Sequence, residues 1–457
     1  MNTICFIANS YKTPTFKAIA DNLMAYDVRT CWIVPYLHQY DNLVNEYGKD
    51  RVLLIDRTFI NTPSEPLGDF KLNEIVYGDL RVWRNSMDEG LLYLTNIQRP
   101  IYDFIKKNEI HLVFGEDTWG QELLIHRMCD QLHDLKCSYY SQMVARIPNG
   151  KFFFFFDEKQ VDVVPVTKST EEAPKVIKVE KPDYLAINDK LVKKSMSLSA
   201  TINRAKRFFT NENIHPTNPN VETKQGIRFR LATREVINQQ TYKYLHRETP
   251  EFVEGKKFVL FGFHKQPEAS IDVCGRYFEN QYENVVNIWR QLPPDWYLVI
   301  KEHSNAIGDR SYSFFKQLLK YPRIVLMDEY ADSQELMKKC QVVITNTGTM
   351  ALEAALQGIP AITLSKVVFN VLNYCRHCTW QDFEMFDSLE ELVNDIKSMP
   401  QNNEDYEKLV ADYAFDGTLT DVISMPDVLN EKNISDLVQS FVSLIAFNND
   451  RLHLKYY

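Results

Sequence analysis

The segment Thr345-Asn346-Thr347-Gly348-Thr349-Met350-Ala351-Leu352-Glu353-Ala354 holds a strand end, a tight turn and a helix start within ten residues. The apolar run 342–345 leads into it, as a buried strand would. Small hydroxyl residues and Gly348 make the turn. Free backbone N–H groups at the helix start, with the Thr347 and Thr349 hydroxyls, suit an anionic group such as a phosphate. Glu353 lies about one turn into the helix, where a carboxylate reaches sugar hydroxyls. Plain capping by Thr349 is the alternative. A capping box, however, places its acid three residues on, and Glu353 is four on.

The same rhythm extends to both sides. Apolar runs at 258–262, 297–300, 324–327 and 361–364 predict further strands, and segments 282–292, 313–319, 333–339 and 351–357 predict the helices between them. Near-continuous apolar strands separated by helices require a parallel sheet covered on both faces. A weaker version opens the chain, with strands at 4–8, 30–34, 51–55 and 110–114 and helices near 16–26 and 121–132. The expected organisation is a Rossmann-like acceptor domain over 1–150, an insertion or linker with a basic helical region over 151–250, a Rossmann-like nucleotide-sugar domain over 251–390, and a helical segment over 391–457. The fold class is α/β. Two Rossmann-like domains facing across a cleft, with a helical insertion and a C-terminal helical tail, make the GT-B arrangement the economical choice. Its ligands would lie at the carboxyl ends of the strands.

The chain has 457 residues, 45% hydrophobic and 25% charged, which is the composition of a globular protein of more than one domain. A net charge of −9 argues against general nucleic-acid binding. The stretch 190–234 is nonetheless strongly basic, with Lys190, Lys193, Lys194, Arg204, Lys206, Arg207, Lys224, Arg228, Arg230 and Arg234. It reads equally as a solvated helix face or as a contact for a membrane surface or anionic acceptor. The eight cysteines include one CxxC pair, Cys375 and Cys378, with no second pair to complete a zinc site. Reduced thiols and a cytoplasmic setting, with an option of peripheral attachment at the inner membrane, are expected. No apolar run approaches the roughly 18 residues of a membrane span. The five phenylalanines 152–156 are a strand at most.

Three further motifs stand at strand ends. Lys301-Glu302-His303-Ser304 follows the strand 297–300, so Lys301 and His303 can neutralise a phosphate. Gly262-Phe263-His264-Lys265-Gln266-Pro267-Glu268-Ala269-Ser270-Ile271-Asp272 follows the strand 258–262 and puts His264, Glu268 and Asp272 on one loop. Glycosyl transfer needs a carboxylate, as base for the acceptor hydroxyl or as nucleophile. Phe114-Gly115-Glu116-Asp117-Thr118-Trp119-Gly120 ends a strand of the first domain. Its Glu116 and Asp117 suit acceptor activation or helix capping alike.

Taken in order, these motifs resemble the capsule polysaccharide synthesis family, which contains bacterial Kdo transferases. The residues that carry the resemblance are His264-Lys265-Gln266-Pro267-Glu268-Ala269-Ser270; Leu292-Pro293-Pro294-Asp295-Trp296-Tyr297 leading into Lys301-Glu302-His303; Arg310 with Phe314-Phe315; Pro322 to Leu326; and Thr347-Gly348-Thr349 with Glu353-Ala354 and Gly358-Ile359-Pro360. Ser304 stands where such families usually carry proline. The resemblance implies a CMP-activated 2-keto acid sugar, CMP-Kdo foremost, added to a glycan or lipid-linked glycan acceptor. His264, Gln266, Lys301, His303, Thr347, Gly348, Thr349 and Glu353 would bind the nucleotide sugar. Glu268, or alternatively Asp272, would be the catalytic carboxylate, and Glu116 or Asp117 would serve the acceptor. No cofactor or metal is expected, because a donor with one phosphate does not call for Mg²⁺. The competing expectations are a sialyltransferase-like or UDP- or GDP-sugar transferase, a UDP-GlcNAc 2-epimerase-like enzyme, and a non-catalytic capsule-assembly scaffold.

Overall fold

The computed structural model describes residues 2–79, 86–165 and 217–456. Its strands are, in chain order, β1 (Asn2–Ile7), β2 (Val28–Val34), β3 (Val52–Leu54), β4 (Leu112–Phe114), β5 (Ser138–Val144), β6 (Lys151–Phe155) and β7 (Phe258–Gly262). They continue as β8 (Tyr297–Lys301), β9 (Ile324–Met327), β10 (Val342–Thr345), β11 (Ala361–Thr363), β12 (Cys375–His377) and β13 (Ala414–Asp416). Two compact units hold them. Among the described residues, the first takes the chain up to 165, with 217–228 and 410–456, and the second takes 229–409.

The first unit is built on a sheet of order β13-β6-β5-β4-β1-β2-β3. From β3 to β5 every pairing is parallel, with helices such as Thr13–Leu23 and Gly120–Gln131 as crossovers. β6 and β13 then extend it antiparallel. The phenylalanine run is this sixth strand. Phe152 and Phe154 enter a core with Phe6, Phe16, Trp32 and Phe114, while Phe153 and Phe155 are buried as well. A strand covered on both faces loses the polar–apolar alternation of a half-exposed one, hence the unbroken run. The last helix, Glu431–Tyr456, supplies Phe441 to the same core, 4.9 Å from Phe114 and 5.2 Å from Phe154 between ring centroids.

The second unit is a wholly parallel sheet of order β12-β11-β10-β7-β8-β9. The interiors of β7, β8, β10 and β11 are buried, as the sequence reading requires. The CxxC pair lies at its edge: Cys375 begins β12 and Cys378 follows it, both buried, and burial pushes the Cys378 thiol up to about 12. Together the two sheets give the pair of Rossmann-like α/β units of the expected fold class.

The C-terminal stretch divides between the units. Helix Leu389–Ser398 packs Leu389, Leu392, Val393 and Ile396 into the second core. From Val410 the chain rejoins the first unit. Of the basic stretch 190–234, residues 190–216 lie outside the described residues. Arg230 and Arg234 are exposed on helix Gln225–Tyr242, which runs from one unit into the other. No described helix is long and apolar enough to cross a membrane.

Candidate functional site

In the second sheet the chain leaves β7 towards β8 on one side, while β10 starts the other half beside β7. Adjacent strands whose crossovers diverge leave a crevice at their carboxyl ends, where ligands of open α/β sheets bind. The sequence motifs converge there. His264 follows β7, Lys301-Glu302-His303 ends β8, and Thr345 to Thr349 ends β10.

His264 is the hub. Its backbone N–H donates to Gln281 Oε1 at 2.7 Å, and its carbonyl accepts from Gln281 Nε2 at 3.1 Å and from Arg310. Its Nε2 lies 2.9 Å from the Thr345 hydroxyl. Burial, then the nearby His303 and Arg310, push its imidazole down to about 3, so the ring is neutral at physiological pH. Arg310 Nη1 also donates to both oxygens of Glu302, at 2.7 and 2.9 Å, and the guanidinium lies 4.6 Å from the Phe263 ring centre. Glu302 is fully buried. Desolvation raises its carboxyl, and the Arg310 pairing opposes that rise. Arg310 thus ties the loops after β7 and β8 into one piece.

The loop after β7 is closed by its own polar side chains. The Gln266–Pro267 peptide is cis. Asp272 is buried, and its two oxygens accept from Gln266 Nε2 and the Glu268 backbone N–H, each at 2.9 Å. Gln266 also accepts from Gln281 Nε2 at 2.9 Å. Gln266 and Asp272 therefore fix the loop, and Glu268 is the acid it presents to solvent. Surrounding protein raises the Glu268 carboxyl, against the lowering effects of Lys265 and the Ser270 hydroxyl.

Beyond β10, Thr347 donates its hydroxyl to the Ser270 carbonyl at 2.6 Å. This bond joins the Thr-Gly-Thr turn to the Glu268 loop. Gly348 is required sterically, since a Cβ there would sit 2.7 Å from Thr345 Oγ1. Thr349 precedes helix Met350–Leu356 without capping it through its side chain, so the plain-capping alternative is not the arrangement found. Glu353 is buried and accepts from Gln334 of helix Ser333–Lys339. Lys301 Nζ donates to the Glu329 carbonyl at 2.9 Å. The His303 ring is exposed, with Nδ1 accepting from Asn305 N–H at 3.1 Å.

Thr345, Gln281 and the pair Asn284–Asn346 are parts of this site to which the motif reading assigns no role. Asn284 and Asn346 both donate to the Phe278 carbonyl, at 2.6 and 2.7 Å. Thr345 and Asn346 adjoin the Thr-Gly-Thr turn and could have been included. Gln281, by contrast, reaches His264 across 17 positions of sequence, and only folding brings them together.

In the first unit β1 and β4 form the corresponding divergence. Glu116 sits there, buried. One oxygen accepts from Asn9 Nδ2 at 2.6 Å; the other accepts from Lys12 and from Gln142 Nε2 at 2.8 Å. Gly115 beside it admits the Tyr139 hydroxyl, which a Cβ would approach to 2.1 Å. Asp117 behaves differently. Held at φ 52°, it is buried against His126 Nδ1 at 2.9 Å, while His126 Nε2 lies 3.0 Å from the Phe156 carbonyl. Burial by itself would lower the His126 pKa. The Asp117 carboxylate overrides it and lifts the imidazole to about 10. Burial, then the Glu116 charge, push the Glu122 carboxyl up to about 8. Among the described residues no group of three or more His, Cys, Asp or Glu side chains is placed to hold a metal ion.

Residues 192–385 match the family model described as "Capsule polysaccharide biosynthesis protein", which bears out the resemblance read from the motifs. No curated protein matches the chain. Solved structures with similarity include the KpsC β-Kdo 2,7 transferase of Thermosulfurimonas dismutans, at 11% identity over 76% of this chain and 90% of that one, with a TM-score of 0.33. The UDP-GlcNAc 2-epimerase of Methanocaldococcus jannaschii, in complex with UDP-GlcNAc and UDP, aligns at 12% identity over 90% and 98%, with a TM-score of 0.29. A glycosyltransferase of Rickettsia africae aligns at 11% identity over 98% of both chains, with a TM-score of 0.27.

Proposed function

We propose that this protein is a glycosyltransferase of capsule-type polysaccharide synthesis, which transfers a 2-keto acid sugar, Kdo foremost, from its CMP-activated form to a glycan or lipid-linked glycan. The observation that carries this reading is the convergence of the His264 loop, the Lys301-Glu302-His303 end and the Thr-Gly-Thr turn at one strand divergence. The match of residues 192–385 to the capsule polysaccharide family supports the choice of chemistry.

In this reading Lys301, His303, Thr347 and Thr349 hold the phosphate of CMP, with Gly348 allowing close approach. Glu353 takes the ribose hydroxyls. Glu268 is the catalytic carboxylate, because the loop presents it while both Asp272 oxygens are engaged in holding that loop. It either accepts the proton of the attacking hydroxyl or bonds to the anomeric carbon as CMP departs; water or the acceptor then resolves the second case. Glu116, paired with Lys12, serves the acceptor. No metal is assigned, since a single phosphate diester can be held by the cationic and hydroxyl groups named. The reaction is placed at the cytoplasmic face, with the basic stretch 190–234 as the candidate membrane contact.

Thermal shift against CMP, UDP and GDP tests the donor class. Stabilisation by CMP alone is expected, and stabilisation by UDP alone overturns the assignment in favour of an epimerase-like or UDP-sugar enzyme. NMR of the products formed from CMP-Kdo with an acceptor glycan then reports the transferred sugar.

A further inference from the structure

The hydrogen bonds around His264 determine which ring nitrogen carries its proton. The Thr345 hydroxyl oxygen accepts from the Gly348 backbone N–H at 3.3 Å. Its own proton remains available to donate, and His264 Nε2 lies 2.9 Å away. The Thr347 backbone N–H also points at that nitrogen, at 3.5 Å. A ring nitrogen that faces two donors must accept, so a neutral imidazole keeps its proton on Nδ1. Among the described residues Nδ1 has no hydrogen-bond partner, although His264 is only 8% exposed. Nδ1 is not among the sealed polar atoms that lack a partner, so it keeps an opening through which a ligand or water can complete it. The turn is built for this contact: a side chain at position 348 would press on both Thr345 Oγ1 and His264 Cε1.

We propose that Thr345 is a positioning residue, which fixes His264 in the Nδ1–H tautomer so that the ring offers the bound donor a hydrogen bond and no charge. Compensation of the phosphate charge is then left to Lys301 and His303. The low proton affinity of the ring, maintained by burial and by the neighbouring His303 and Arg310, agrees with this division of labour. The proposal rests on the nucleotide-sugar reading for the identity of the ligand, but not for the tautomer.

Long-range ¹H–¹⁵N correlation on the ligand-free, full-length protein labelled in histidine decides it, with the His264 signal identified by its loss in His264→Asn. In the wild type, Nδ1 should be protonated and Nε2 bare throughout pH 5–8. Thr345→Val should populate the Nε2–H tautomer, and Thr345→Ser should restore the wild-type pattern. An Nε2–H or cationic His264 in the wild type, or a Thr345→Val spectrum identical to wild type, overturns the proposal. CMP titration of the same proteins should show affinity about tenfold weaker for Thr345→Val and recovered in Thr345→Ser. If the wild type binds no CMP, the donor assignment fails while the tautomer result still stands on its own.

Discussion

Among the acids of the two strand-end sites, environment rather than residue type separates the roles. Asp272 and Asp117 are both buried and engaged, one by the Gln266 loop and one by His126, whereas Glu268 faces solvent. Glu268→Gln should therefore lose turnover by at least about a hundredfold while CMP affinity is retained, as single-turnover assays with isothermal titration would report. Turnover near wild type would exclude Glu268 as the catalytic carboxylate. Glu122 makes a prediction of a different kind. In the fold it keeps its proton up to about 8, whereas its ordinary value is 4.5. Between those values the unfolded chain releases a proton that the folded chain retains, so stability falls as pH rises from 4.5 through 8. The His126–Asp117 pair acts in the same sense over a higher window. Its contribution is fully present below the ordinary histidine value of 6.5 and is lost as pH rises through about 10. Glu122→Gln removes only the first of these. It should stabilise the first unit by roughly 2–4 kcal/mol at pH 8.5 and by almost nothing at pH 4.5. Urea denaturation at the two pH values measures the difference, and an equal gain at both would contradict it.

At the scale of elements, the site depends on loops that three strands merely deliver. Arg310 holds the loops after β7 and β8 together through Glu302, the His264 carbonyl and the Phe263 ring. Arg310→Ala would strand the Glu302 carboxylate in a buried place without its partner, a loss of about 3–5 kcal/mol in comparable cases. Nucleotide binding should weaken with it, because His264 and His303 are then no longer fixed relative to each other. Arg310→Lys should recover only part of either, since one ammonium cannot reach Glu302 and the His264 carbonyl with separate nitrogens while lying flat on Phe263. Equal stability of the three proteins in chemical denaturation would show that the guanidinium does not carry this junction.

For the whole molecule, the chain's return from Val410 makes its C-terminus part of the first unit. β13 extends that sheet beside β6, and Phe441 and Leu444 are fully buried in its core. A chain ending at residue 409 should leave the first unit unfolded, because it removes the antiparallel cover of β6 and a central aromatic of the core. Losing Phe441 alone is worth about 3–5 kcal/mol. Hydrogen exchange followed by mass spectrometry would show protection lost across β1 to β6. Protection unchanged in those strands would mean that the C-terminal helix is an accessory.

Most of the parallel strands of both units, the three strand-end motifs and the Thr-Gly-Thr turn were legible in the sequence, because each rests on local signals: apolar runs, glycine, and hydroxyl or charged residues where a strand stops. The parallel strands β5 and β12 were not among those read. The capsule-family resemblance was legible for the same reason, as an ordered set of short motifs. Tertiary structure alone decided that Gln281 anchors His264, that Lys12 pairs with Glu116, that Asp117 is tied to His126, and that the last helix belongs to the first core. It also decided which acid of the His264 loop faces solvent. These facts depend on contacts between residues far apart in the chain and on burial, and neither leaves a periodic trace in one sequence. What the sequence determined was which residues stand at the strand ends; what folding determined was how each is protonated, partnered and aimed.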